Sequence, residues 1–166
     1  EGWLRDRGIT KVVGPLNPST NYEIGTLIKG FDQTPALMMT YNPAYYPELI
    51  FRAGYRKEKD IFSYRITRDH PIPPWIFELS DRLRQSDQVE VVCPKKWTRD
   101  NVRLMCSIYN ECWAENWGFV PMSVAEEDEM ARELLYLLEP ELAFFIHCQG
   151  QPAGIGLLLP DFVPLL

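Results

Sequence analysis

Histidine is almost missing. His70 and His147 are the only two in 166 residues, which excludes a histidine-rich metal centre. Cysteine is scarce as well: Cys93, Cys106, Cys112 and Cys148 form no C-x-x-C pair, so the usual zinc and redox spacings are absent. Cys106 and Cys112, six apart on an expected helix, are not neighbours there. Each cysteine is read as a small apolar packing residue. Free thiols with no signal peptide fit a reducing compartment, and the expected location is the cytoplasm. Positive charge is in deficit. Lys and Arg number 17 against 23 Asp and Glu, a formal net charge of -6, which argues against nucleic acid as a partner. The one basic cluster, Arg56-Lys57-Glu58-Lys59, is short and broken by a carboxylate; it reads as a solvated strand end, with phosphate contact as the lesser alternative. No apolar run approaches the roughly 20 residues that span a bilayer, so no membrane partner is expected. The chain has no initiator Met and no basic-then-apolar leader, and it opens inside an apparent helix (Trp3, Leu4, then the stop signal Gly8). Such a start is expected of a fragment.

What is present is the balance of a globular chain, 46% apolar and 24% charged. Lys11 to Pro15 reads as a short buried strand, and residues 16–20 carry turn chemistry. A short helix is expected over 22–28, stopped by Gly30, then a strand over 36–41. Asn42-Pro43 opens a helix over about 44–53 that Gly54 closes, and 61–66 alternates as a strand. His70 to Pro74 is the proline-rich connection. A helix over 75–84 follows, with Trp75, Ile76, Leu79 and Leu83 on one face. Val89 to Cys93 reads as a fresh strand. Thr98 caps a long amphipathic helix carrying Val102, Met105, Ile108, Tyr109, Cys112 and Trp113. After the loop 116–121, Ser123 and Glu126 make a capping box for a second helix. Residues 142–148 and 153–159 are strands of a hairpin turning through Gln149-Gly150-Gln151-Pro152.

Strand, two helices and an antiparallel hairpin is the order in which the GNAT fold of the N-acetyltransferases begins. The first half resembles how such a unit ends: strand, helix, a Gly-aromatic pair (Gly54-Tyr55) and a closing strand. Val13-Gly14-Pro15-Leu16-Asn17, Tyr22-Glu23, Gly30-Phe31-Asp32 and residues 38–46 sharpen the likeness, as do residues 116–121 with Leu159-Pro160-Asp161. Together they are similar to a bacterial group of tandem acetyltransferase-fold proteins, over nearly the whole chain. The expected fold class is therefore α/β (α+β), an acyl-CoA N-acyltransferase-like, largely antiparallel sheet flanked by helices. The expected plan is residues 1–68 as the C-terminal half of one unit, 69–87 as linker and helix, and 88–166 as the N-terminal half of the next.

The resemblance implies acetyl-CoA as cofactor and a small-molecule amine as acceptor. Two departures stand out. The Gln/Arg-x-x-Gly-x-Gly/Ala loop that takes the pyrophosphate is absent; Gly154-Ile155-Gly156 is the nearest glycine pair and lies inside an expected strand. The family's Tyr four residues before the glycine of the Gly-aromatic pair, its general acid, falls on Ile50, leaving Tyr45 or Tyr46 as substitutes. Glu23 is the candidate base, with a dipole-favoured helix N-terminal acid as the plain alternative. His147 is the second proton acceptor considered, against an ordinary strand histidine. Asn17 and Asn42 are the candidates to touch the cofactor, and Asn42 before Pro43 is equally a capping residue. Tyr41, Trp113, Trp117 and Phe119 are the candidate substrate pocket, the tryptophans alternatively closing a core edge. Asp161 is a turn residue.

Three functions are carried forward: an N-acetyltransferase-like protein whose catalysis belongs to the intact parent, a non-catalytic binding module, and the aminoacyl-transferring branch of the same fold. Unpaired sheet edges predict pairing of the halves with each other, with another copy in a homodimer, or with further parent sequence.

Overall fold

The computed structural model describes residues 1–86 and 88–161. They fall into two compact units, one formed by Glu1–Ser63 and one by Tyr64–Pro160.

The second unit is the mixed α+β body that the sequence order implies. It contains α3 (Pro74–Arg84), β1 (Val89–Val92), α4 (Arg99–Trp113), α5 (Val124–Leu137), a 3-10 turn (Pro140–Leu142), β2 (Ala143–Cys148) and β3 (Gln151–Leu157). The sheet is antiparallel throughout, in the order β1-β2-β3. The turn between β2 and β3 is two residues long, Gln149 and Gly150. Both hold positive φ (52° and 77°), which matches the twist of a tight hairpin.

Both long helices start where side chains satisfy orphaned amides. At α4 the Asn101 N–H donates to Thr98 Oγ1 (3.3 Å) and the Thr98 N–H donates to Asn101 Oδ1 (3.0 Å). At α5 the Ser123 N–H donates to Glu126 Oε2 (2.8 Å). This backbone bond, with the Ser123 hydroxyl, holds the Glu126 carboxyl below its ordinary pKa.

The two faces of the sheet differ. Ala143 and Phe145 alternate onto the helix side and are buried with Trp97, Val102, Met105, Cys106, Ile108, Ala131 and Leu134. Phe145 stacks on Trp97 with ring centroids 5.3 Å apart. Phe144 and Ile146 take the other face, opposite Gly156 and Gly154 of β3. A Cβ on Gly156 would sit within 2.6 Å of both Cε atoms of the Phe144 ring, so glycine is required for that ring to lie across the strand.

The first unit is built otherwise. It contains α1 (Gly2–Arg5) and α2 (Tyr46–Arg52). The strands expected at 11–15, 36–41 and 61–66 and the helix expected at 22–28 do not form; those segments are irregular. A strand exists only when a neighbour takes its N–H and C=O groups, and the pairing this unit supplies is one isolated bridge, Leu16 to Ile24. Val12, Val13, Leu37, Met38, Met39, Ile61 and Phe62 are exposed, which overturns the reading of 11–15 as a buried strand. The helix expected over 44–53 is there, two residues shorter at its start and one at its end. Gly54 follows it with φ +91°, the left-handed closure that glycine permits.

No helix among the described residues is long and apolar enough to cross a membrane.

Candidate functional site

The end of α4 and the loop to α5 bring several expected site residues together. Tyr109 and Trp113 are one helical turn apart and stack with centroids 5.5 Å apart. Phe119 returns from the loop to meet Tyr109 edge-on at 5.7 Å. The return path is fixed by successive turns, with Asn116 N–H donating to Trp113 O (2.8 Å) and Phe119 N–H to Asn116 O (3.1 Å). Gly118 supplies the positive φ (68°) that reverses the chain.

Asn110 locks the loop. Its Nδ2 donates to the Met122 carbonyl (3.3 Å), and its Oδ1 accepts from the Met122 N–H (2.9 Å), so one side chain mimics a strand pairing across the α4–α5 gap. Trp113 stays 47% exposed and Trp117 39%, while Phe119 is half-buried. Burial raises the pKa of the Tyr109 phenol above its ordinary value, so it is neutral at physiological pH. The result is an aromatic surface of fixed shape, open to solvent on the Trp113 side.

The stretch of sequence that carries these rings is rich in acidic residues. Between Arg103 and Arg132 there is no Lys, Arg or His, while Glu111, Glu115, Glu126, Glu127, Asp128 and Glu129 all fall there. Asp128 is paired with Arg103 at 2.9 Å, Glu129 with Arg132, and Glu126 is held by its cap. Among the described residues Glu111 and Glu115, which bracket Trp113, form no ion pair.

The other candidates lie elsewhere. In the first unit the Asn17 N–H donates to the Glu23 carbonyl at 3.2 Å, which brings these two residues side by side; both side chains are exposed. Asn42 is buried. Its Oδ1 accepts from the Leu27 N–H (2.6 Å) and its Nδ2 donates to the carbonyls of Leu27 (3.3 Å) and Pro43 (2.9 Å). That side chain is consumed in holding one loop to another. Tyr41, Tyr45 and Tyr46 are exposed, and the rings of Tyr45 and Tyr46 sit 5.2 Å apart. His147 lies in the second unit, half-buried, at the irregularity between Ile146 and His147 and opposite Glu90 of β1.

The one glycine pair that sequence reading weighed as a pyrophosphate loop does not form one. A phosphate cradle needs convergent backbone N–H groups at a helix start. Gly154-Ile155-Gly156 instead lies within β3, aligned along its length with Ile146, Phe145 and Phe144 of β2. An open depression of about 440 Å³ is lined by Cys93, Pro94 and Lys95 with Glu139, Pro140 and Glu141, none of them a sequence candidate.

Sequence reading missed Asn110 and the pivotal place of Tyr109. A signal was available for the first: Asn110 is a polar residue four positions after the buried Cys106, at a spacing that returns to the packed face.

No family model and no solved structure matches the chain. It is 34% identical over 161 residues to the bacterial ceramide synthase of Caulobacter vibrioides (strain NA1000 / CB15N), covering 97% of this chain and 42% of that protein. It is 29% identical over 162 residues to Protein YghO of Escherichia coli (strain K12), covering 97% of this chain and 41% of that protein. The chain thus spans about two-fifths of the length of these curated relatives, which are both bacterial proteins.

Proposed function

We propose that the chain is part of an amide-forming N-acyltransferase and that it contributes the acceptor side of the reaction. The observation that carries this reading is the 34% identity to a bacterial ceramide synthase over 97% of the chain. Ceramide is the amide of a fatty acid and a long-chain amino alcohol. The reaction class is therefore attack of an amine on an acyl thioester: an N–C bond forms, the C–S bond breaks, the amine loses a proton and a thiol leaves. The order of elements in the second unit supports the same class independently, through its resemblance to the start of an N-acetyltransferase unit.

The acceptor this favours is a long-chain amine, not the small amine that the acetyltransferase resemblance alone implies. Acetyl-CoA, or a longer acyl-CoA, is the proposed donor, and Gly154-Ile155-Gly156, within β3, is not its phosphate cradle. The tandem half-unit plan and the proton-transfer roles of Glu23, Tyr45, Tyr46 and His147 belong to the same proposal. A non-catalytic binding module is the second reading, favoured by the absence of the Gln/Arg-x-x-Gly-x-Gly/Ala motif from the sequence.

The test is product analysis. The protein carrying this stretch is incubated with an acyl-CoA and a long-chain amino alcohol, and the lipid product is identified by mass spectrometry. An N-acyl product with stoichiometric thiol release is expected. Thiol release without an amide, or acylation of the hydroxyl alone, overturns acyl transfer to nitrogen. A full set of inert substrates over well-folded protein returns the chain to the binding module.

A further inference from the structure

We infer that α3 docks in the plane of a phospholipid bilayer, laying Trp75, Ile76, Leu79 and Leu83 among the acyl chains. Helix geometry brings these four together. At about 3.6 residues per turn, Trp75, Leu79 and Leu83 follow one another at four-residue steps, and Ile76 lies two turns before Leu83, so they form one stripe. The stripe is in water: Trp75 is 60% exposed, Leu83 41%, Ile76 39% and Leu79 38%. No residue of α3 is buried. A helix of this length is marginal by itself, and an amphipathic one is stabilised mainly by whatever covers its apolar face.

Charge says what that cover is. Arg82, three positions after Leu79 and seven after Trp75, runs along one border of the stripe. On the other border Ile76 is followed around the helix by Ser80 and then, one turn on, by Arg84. Glu78, Asp81 and Phe77 fall on the remaining side. All four charged side chains are exposed, and among the described residues none of them forms an ion pair. Arginines bordering an apolar stripe, with carboxylates on the far side, complement a phosphate layer lying over acyl chains. The arginine stems cover apolar surface while the guanidinium groups reach phosphate oxygens. Trp75, beside Arg82 at the rim, has the amphipathic ring that settles at the headgroup boundary. A second copy fits worse. Two such stripes laid face to face set arginine border against arginine border, with the carboxylates of both helices on the outside.

No spanning run is needed, because an interfacial helix lies flat at the headgroup boundary. The formal net charge of -6 opposes attraction to anionic lipid at a distance, so insertion of the stripe carries the binding. The inference deepens the acyl-transfer reading and rests on it only for the reason to visit a bilayer, which is where a long-chain amine is held. Docking itself stands or falls alone.

The experiment is co-sedimentation of the full chain with mixed phosphatidylcholine and phosphatidylglycerol vesicles, read alongside tryptophan fluorescence and quenching by brominated acyl chains. Saturable binding is expected at low and at high salt, with a blue shift and with quenching that Trp75→Phe largely removes. Leu79→Glu sets a carboxylate in the middle of the stripe at an exposed position. It is expected to weaken vesicle binding at least about tenfold while circular dichroism stays unchanged. Asp81→Asn, on the far side, should leave binding within about twofold. A folded chain that stays in the supernatant overturns the proposal, as does binding that Leu79→Glu leaves unaltered or that high salt abolishes. A dimer in sedimentation velocity that Leu79→Glu dissociates would give the stripe to a second copy and overturn it too. Vesicle binding without amide formation in the product assay would sink the acyl-transfer reading and leave docking standing; amide formation without vesicle binding would do the reverse.

Discussion

Among the described residues of the first unit the buried ones are Ser19, Asn21 and Asn42, three polar groups; in the second they include Val102, Met105, Cys106, Ile108 and Phe145. The two halves of one chain are thus held by different forces. Residues 1–63 are organised by hydrogen bonds such as those of Asn42 to Leu27 and of Thr40 Oγ1 to the Ile24 carbonyl (2.8 Å). Each such bond contributes on the order of 1 kcal/mol net, because water competes for both partners. Residues 64–160 are organised by a sheet with α4 and α5 packed on one face, where each large side chain removed from water contributes about 1.5–3 kcal/mol. The aromatic site sits in the second kind of structure. That placement matters, because a binding surface keeps its shape only where the element beneath it is anchored.

The contrast is broken most strongly by attacking the core. Phe145, 2% exposed and stacked on Trp97, cannot be truncated without leaving a cavity between sheet and helices. Phe145→Ala is expected to cost about 3–5 kcal/mol in denaturant unfolding followed by tryptophan fluorescence. Four of the five tryptophans, Trp75, Trp97, Trp113 and Trp117, report from the second unit. Gly156→Ala is expected to cost about 1–3 kcal/mol, because the new methyl group enters the Phe144 ring. Phe144→Leu in the same chain should recover part of that loss, and a double-mutant cycle checks the coupling.

In the first unit the comparable lesion is Asn42→Ala, which strands the Leu27 amide. A loss of about 1–3 kcal/mol is expected, read as faster exchange of that amide and no change in the second unit. The smallest effect is a titration. Burial pushes the Cys106 thiol up to about 11, well above an accessible thiol. A group whose pKa is raised on folding lends its stability in full below the unfolded pKa. That contribution is lost as pH rises through the folded value. Stability of the second unit should therefore decline between about pH 9 and 11, and Cys106→Ala should flatten the decline. Alkylation at neutral pH checks the same burial: exposed Cys93, Cys112 and Cys148 react, and Cys106 reacts only on unfolding.

How far the sequence could be read follows the same division. Thr98, the Ser123–Glu126 box and the Gln149-Gly150 turn act within a few residues, so α4 and α5 were legible where they stand, and the hairpin was legible with its second strand read two residues late. Ala143, Phe145 and His147 alternate in the sequence, and alternation alone did not show that the helices bury Ala143 and Phe145. Segments 36–41 and 61–66 have the composition of strands, yet composition states a preference and hydrogen-bonding neighbours decide the outcome. The rings of Trp113 and Phe119 were readable as a group because they lie six residues apart on one loop. Asn110 was not, because its spacing from Cys106 returns it to the packed face without naming its partner, the main chain of Met122. Asn42 was read toward a cofactor, while its three bonds bind the loop at Leu27.

The most direct measurement of the difference between the halves is amide hydrogen exchange across the whole chain under native conditions. Amides of α4, β2 and the α5 side of the core are expected to exchange slowest, through opening of the second unit as a whole. Amides at 9–13, 36–41 and 61–63 are expected to exchange orders of magnitude faster, with Leu27 standing out as a protected position in the same unit. Protection of those three segments equal to that of β2 would contradict the account, since it would require a core in the first unit that its buried residues do not form.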